Sequence, residues 1–446
     1  MTSPREQWAS NTGFILATIG SAVGIGNIWR FSYVAGENGG GAFLIIYLIC
    51  VLIVGVPIVI SEMAMGRRGG GDAIAAFSGN GRTPRWAHAG WVSVVGCFLI
   101  LGFYSVIAGW ALKYFIGSLT GNLWRIASGG YGSFFGDFIA NGAEPVIWQF
   151  AAIAATMLVV MGGVRRGIET ANRVLMPLLA LVVIVLAIYA STLTGSSGGW
   201  EFLFVPDWSA FSQPRVYIAA LGQAFFSLGI GMAIFITYAS YMSPGMRIPR
   251  AASAIIAGDT LFAIIAGLAI FPAVFAFGGD PQAGPQLAFI TLPQIFLKMP
   301  GGTLIGALFF GLLIAAAVTS MVSLLEVPVA AVIHRSRRGR FAAVMLVGLG
   351  AFAAGTPSAL SYGLLDHVRI GGLGILDLVD KLASNYLLPL GGVLVCLYIG
   401  WFWRRADAVE AADLTASPIA GLWIWLVRLV APALVLLVVL DSSGAI

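Results

Sequence analysis

The residues of this chain best suited to chemistry are oxygen donors set in otherwise apolar sequence. Between Gly20 and Phe31 the order GSAVGIGNIWRF places Gly20, Gly24 and Gly26 beside Ser21, Asn27 and Arg30. A second stretch, GQAFFSLGIG, holds Gly222, Gln223, Ser227, Gly229 and Gly231. Asp259 and the pair Thr319 and Ser320 interrupt two further apolar runs. A helix broken in mid-membrane frees backbone carbonyls, which is tolerated only where they line a cavity or bind something. Such carbonyls, joined by hydroxyl, amide or carboxylate oxygens, suit a small hard cation. The half-helix that restarts after a break offers free N–H groups and the positive end of its dipole, which suit a carboxylate. A carboxylate such as Asp259 costs a few kcal/mol at mid-membrane and is a functional candidate by default.

The elements that must position these groups follow from composition. Apolar residues make up 59% of the 446 and charged residues 10%, with a mean hydropathy of +0.94. A soluble domain carries about 25% charged residues, so this chain lacks the charge to clothe a soluble globule, and the bilayer is its solvent. Eleven apolar runs are long enough to span: roughly 12–35, 41–66, 88–118, 146–163, 167–192, 215–241, 250–279, 302–333, 341–356, 373–402 and 419–441. Arg5 and Glu6 lead directly into the first, so no cleavable signal peptide is expected. With the N-terminus inside, the cytoplasmic loops hold fourteen Lys and Arg residues against four outside (Arg125, Arg215, Lys298, Arg369). That bias predicts a multi-pass protein of a bacterial-type cytoplasmic membrane with the N-terminus inside and Ile446 outside. The net charge of +5 is thus a topology signal, with no nucleic-acid surface in it. Cys50, Cys97 and Cys396 fall in spans and imply no disulfide framework. Loops at 119–145, 193–214 and 280–301, with Trp200, Phe202, Pro206 and Trp208, are expected to pack over the outer mouth.

The two glycine-broken spans are the first and the sixth, corresponding places in two five-span units. Paired breaks of this kind point to a transporter's binding site, a generalisation drawn in part from the LeuT fold. A zwitterionic amino acid with sodium fits the chemistry of such a break. GSAVGIGNIWRF, followed by ENGGGAF (Glu37–Phe43), resembles the first span and first outer loop of the neurotransmitter:sodium symporter family, especially its bacterial amino-acid transporters. The likeness continues through GQAFFSLGIG and ITYASY in span 6, TSMVSLLE in span 8 and DKLASN in span 10, in order along the whole chain. It implies an all-α membrane protein with a LeuT-type 5+5 inverted repeat: first repeat about 11–192, second about 215–402, additional helix about 419–441, in one transporter domain over 1–446. It also implies sodium-coupled symport of hydrophobic L-amino acids by alternating access, and no enzyme.

The resemblance assigns residues to sites. A first sodium site takes the Ala22 carbonyl, the Asn27 amide oxygen, the Ser227 hydroxyl and an Asp259 oxygen, completed by the substrate carboxylate. A second takes the carbonyls of Gly20, Val23 and Ala316 with the hydroxyls of Thr319 and Ser320, so two Na+ ions are expected. On sequence alone the two hydroxyls could equally bond back to their own helix. Chloride-dependent members carry a neutral residue at the Asp259 position and a serine one turn on, where this chain has Ala263. Asp259 therefore predicts chloride independence. The substrate pocket is assigned to Ser21, Ala22, Gly24, Gly26, Ile100, Tyr104, Phe226, Ser227, Gly229, Met232, Ser320 and Leu324, with Tyr104 donating to the substrate carboxylate. Monoamine carriers have an aspartate where this chain has Gly24, so the substrate must bring its own carboxylate. The minimal Gly229 and the flexible Met232 favour large hydrophobic side chains.

Gates follow in the same way. Outside, Arg30 is assigned to pair with Asp380, with Gln223 beside it and Tyr104 and Phe226 as a thin lid. Inside, Arg5 and Trp8 match an N-terminal latch supported by Tyr241. The family's latch aspartate would fall at His334, which leaves the inner closure open, with Glu326 as one candidate. Gly167 and Pro177 in span 5 suit either unwinding toward the second sodium site or a static kink. Among rival classes, an exchanger on this fold would lack the oxygen cluster near Gly20 and Thr319. A channel would show rings of charge or a repeated pore loop. An intramembrane enzyme would need a catalytic cluster, whereas His88, His334 and His367 fall at or beyond span ends. The oligomeric state is not specified by the sequence.

Overall fold

In lipid, a segment must satisfy its own backbone N–H and C=O groups, and the helix does so within one stretch of chain. The computed structural model describes residues 6–80, 84–126, 130–243, 245–282, 284–336 and 338–443. Among these, nine helices are long and apolar enough to cross a membrane. They are span 2 (Gly41–Gly69), span 3 (Pro84–Thr120), span 4 (Glu144–Met161), span 5 (Val164–Ser191), span 7 (Ile248–Ala276), span 8 (Gly302–Ser336), span 9 (Arg340–Ala359), span 10 (Ile375–Phe402) and span 11 (Ala420–Ser442). Span 1 is the bent pair Asn11–Ala22 and Gly26–Glu37, turned by 54°. The expected sixth span is Pro214–Leu228 followed by Ile234–Ala239. Neither half is long enough to count as a membrane helix, because five residues of non-helical chain divide them.

Span 3 forms the centre of the scaffold, packed against spans 4, 8 and 9. Span 2 runs beside both halves of span 6, while the first half of span 1 packs against spans 5, 7 and 8. The broken segments are thereby enclosed by continuous helices, which is where irregular backbone is tolerated at membrane depth. Span 5 opens with a wide helical turn over Val164–Glu169 and carries Pro177 within its helix.

The outer loops divide in their placement. Phe135 and Ile139 on the short helix Tyr131–Ala140, with Phe289 and Ile290, line the outer cavity. The 193–214 loop does not cover the mouth as expected. Trp208 is 75% exposed and Trp200 40%, while Phe202 packs sideways on Phe271 and Phe275 of span 7.

Candidate functional site

Span 1 stops being helical at Val23, whose backbone is extended, and restarts at Gly26. Span 6 stops at Leu228, and at Gly231 the backbone has φ +86° with the Leu388 carbonyl of span 10 lying where a Cβ would stand. Only glycine fits that approach. The Gly231 N–H donates to Glu62 Oε1 at 2.7 Å. Glu62, on span 2, is fully buried and its second oxygen has no hydrogen-bond partner among the described residues. Ala233, where the second half begins, is left-handed at φ 57° without being glycine, a backbone that costs roughly 1–2 kcal/mol.

The first expected ion cluster is assembled from spans 1, 6 and 7. Asp259 is fully buried. Its Oδ1 accepts from Asn27 Nδ2 at 2.7 Å and its Oδ2 from Ser227 Oγ at 2.8 Å. Asn27 Nδ2 also reaches Ser227 Oγ at 3.0 Å. Among the described residues no Lys or Arg forms an ion pair with Asp259. One detail differs from expectation. The Asn27 amide oxygen does not face the cluster but accepts the Gly24 N–H at 3.1 Å, because two acceptors, Asp259 and Ser227, draw the amide nitrogen to the other side. Ala22 ends the first half-helix.

The second expected cluster lies where span 8 meets the break. Thr319 Oγ1 and Ser320 Oγ both point to the Val23 carbonyl, each at 3.5 Å, and Thr319 Oγ1 bonds the Ala316 carbonyl at 2.9 Å. Gly20 packs against span 5, where a Cβ would run into Asn172 Oδ1. That amide oxygen is buried with no hydrogen-bond partner among the described residues, its nitrogen being tied to the Ile168 carbonyl. Sequence reasoning missed Asn172, since an amide on a helix is indistinguishable from a packing residue.

All twelve expected substrate-pocket residues line one narrow cavity of about 30 Å³, joined by Ile234. Tyr104 Oη accepts the Ile25 N–H at 2.9 Å, and a Cβ on Gly24 would meet Ser320 Oγ and Tyr104 Oη. Outside lies a second cavity of about 490 Å³. Gly26, Tyr104 and Phe226 line both, so these three form the partition.

Arg30 and Asp380 face the outer cavity but do not pair. Arg30 donates to Gln223 Oε1 at 2.7 Å and lies 4.6 Å from the Phe226 ring centroid. Asp380 accepts from Ser384 instead, at 2.7 Å. The expected bridge is absent because the cavity stands between the two groups, and Gln223 and Phe226 hold the guanidinium on the span-6 side.

At the other end of the molecule Arg5 lies outside the described residues. Trp8 is buried, donating its indole N–H to the Tyr238 carbonyl at 2.9 Å and its backbone N–H to the Tyr241 carbonyl at 3.2 Å. Glu326, fully buried, accepts from the Tyr241 hydroxyl at 2.8 Å and pairs with Arg340 at 2.7 Å. Arg340 also pairs with Glu6 at 2.7 Å, and Glu6 accepts the Val164 N–H at 3.0 Å. His334 takes no part in this network. Among the described residues, the N-terminal segment contributes Glu6 to this network and span 9 supplies Arg340. In sequence Arg340 reads as one more cytoplasmic arginine, and nothing local marks its partners. Glu169 on span 5 completes the closure by accepting from the Ala9 N–H at 2.6 Å.

A family model for the sodium:neurotransmitter symporter family matches residues 5–131 and 141–444. The chain belongs to the sodium:neurotransmitter symporter family. Its relatives include an uncharacterized sodium-dependent transporter, YhdH, of Bacillus subtilis (strain 168), 39% identical with 98% of each chain covered. Another is the uncharacterized sodium-dependent transporter MJ1319 of Methanocaldococcus jannaschii, 33% identical over 99% of this chain and 91% of the relative. Among solved structures, that of MhsT in complex with L-phenylalanine superposes with a TM-score of 0.92 at 50% identity, over 98% of this chain and all of MhsT. The protein is therefore a sodium-dependent membrane transporter with the LeuT-type fold.

Proposed function

We propose that this symporter carries hydrophobic L-amino acids inward with two sodium ions, without chloride. The observation that carries the reading is Asp259, a fully buried carboxylate at the two helix breaks, held among the described residues by the neutral Asn27 and Ser227. Such a charge is costly unless a counter-charge joins it, and the nearby donors are all oxygens or an amide that can present one. Sodium entering between Asp259, Ser227 and Asn27 would turn the Asn27 amide so that its oxygen faces the ion. That turn gives up the bond to the Gly24 N–H and frees this group for a substrate carboxylate. Ion and substrate would thus be coupled through one amide as well as by direct contact. Tyr104, whose hydroxyl now accepts the Ile25 N–H, would donate to the same carboxylate. Val23, Ala316, Thr319, Ser320 and Gly20 would hold the second ion, with Asn172 within reach of its inner side.

The walls of the inner cavity, Ile100, Phe226, Met232, Ile234 and Leu324, are apolar, which suits a hydrophobic side chain; phenylalanine bound to MhsT supports that class. A large side chain requires the narrow cavity to widen, and Met232 is the flexible element of its wall. Closure outside would bring Arg30 to Asp380. Opening inside would break Arg340 from Glu326 and Glu6, with Glu169 linking the N-terminal segment to span 5. We also propose the N-inside orientation in a cytoplasmic membrane, from the arginine bias.

Binding of labelled L-phenylalanine and L-tryptophan to the purified protein, in sodium and in potassium, tests the site. Saturable binding in sodium that is lost in potassium is expected. Equal binding in both salts would refute sodium coupling at Asp259.

A further inference from the structure

The structure holds a further cavity that shares no lining residue with the substrate pocket or the outer cavity. It is a groove of about 530 Å³ on the outer face of the helix bundle, between spans 3, 8 and 9. Its deep end is apolar: Phe98 and Val94 on span 3 and Val347 and Gly350 on span 9. Its shallow end is cationic. Arg335 and Arg338 line the mouth, both exposed, and neither has an acidic partner among the described residues. Glu326 and Glu6, the acids of the inner network, are paired with Arg340. Arg335 lies 5.4 Å from the Trp91 ring centroid, a cation–π distance that places the guanidinium beside an aromatic of the kind that settles at headgroup level.

We propose that this groove binds one anionic diacyl phospholipid of the phosphatidylglycerol type, its phosphate between Arg335 and Arg338 and an acyl chain along Val94, Phe98 and Val347. The occupant follows from charge and depth together. Two free guanidiniums at the rim call for an anion, and the apolar trough below them, open to the bilayer, calls for a chain attached to it. Anionic lipid concentrates beside basic juxtamembrane residues. A free phosphate would leave the trough without an occupant, and a zwitterionic lipid would bring a cation to the two arginines. Arg338 is two residues before Arg340 of the inner network, so the bound headgroup also sits beside the gate that must open.

Native mass spectrometry of the full-length transporter, given equal phosphatidylglycerol and phosphatidylcholine with identical chains, tests this. One phosphatidylglycerol per chain should be retained preferentially. The double variant Arg335→Gln/Arg338→Gln should weaken that retention by about thirty-fold, as expected for two arginines near the surface. Gly350→Leu, which improves helix propensity while filling the trough, should reduce retention of both lipids with the arginines intact. Equal retention of the two lipids would overturn the proposal, as would unchanged retention in either variant. So would displacement by inorganic phosphate alone, or a two-chain species that excludes lipid from the groove.

Discussion

At the scale of single residues, the site is an arrangement of oxygens around one buried carboxylate. Asp259→Asn removes the charge and leaves the shape, so sodium-driven uptake should fall at least about ten-fold, corresponding to about 1.4 kcal/mol of lost ion binding. Substrate binding at saturating sodium should fall less. Wild-type uptake should be unchanged when gluconate replaces chloride, and a collapse of transport in gluconate would contradict a charge role for Asp259. Much of this site was legible in sequence because Asn27, Ser227, Asp259, Thr319 and Ser320 are polar residues inside apolar runs, and the family resemblance gave them partners. Glu62 and Asn172 were not legible, since a lone polar residue in a helix does not announce which backbone it will meet. The Asn27 amide orientation was also beyond sequence, being fixed by competing acceptors that only the fold assembles.

At the scale of elements, the breaks and the inner network carry the account. Ala233 adopts a left-handed backbone in span 6, so Ala233→Gly should raise thermal stability, by up to about 1 kcal/mol. Ala233→Val should lower it. Thermal unfolding of the detergent-solubilised protein distinguishes the two. Arg340→Gln strands Glu326, which is fully buried, and removing one partner of such a pair costs about 3 kcal/mol or more. Adding Glu326→Gln should restore most of the loss, whereas Glu6→Gln, at an exposed acid, should cost less than about 1 kcal/mol. A double variant no more stable than Arg340→Gln would show that the pair does not hold the inner end. Spans and breaks could be read from glycine and apolar run length. Of the latch, Trp8, Tyr241 and the candidate Glu326 could be read, whereas the pairing of Arg340 with Glu326 and Glu6 could not, because these charges lie far apart in sequence.

At the scale of the molecule, neighbouring ends of spans 2 and 7 are joined through Asp413. Burial works against the Asp413 carboxylate. The Arg67 guanidinium at 2.8 Å, the Ile248 N–H at 2.9 Å and the charge of Arg67 together outweigh it and hold the group below the usual carboxylate range. A carboxylate so depressed in the folded state contributes stability above its unfolded value, and that contribution is lost as pH falls through the folded value. Thermal stability should therefore decline on the acid side of pH 4, and Asp413→Asn should be less stable at neutral pH with a flatter acid limb. An identical acid limb in the variant would remove Asp413 from the account.

Coupled flux is the property that all three scales must produce together. Purified protein in proteoliposomes, offered a labelled amino-acid panel under an inward sodium gradient, measures it directly, with a membrane potential adding about 2.3 kcal/mol per charge per 100 mV. The account predicts concentrative uptake of hydrophobic L-amino acids that disappears when sodium is equal on both sides and is indifferent to chloride. Accumulation of no hydrophobic amino acid, or uptake equal with and without the sodium gradient, would contradict it.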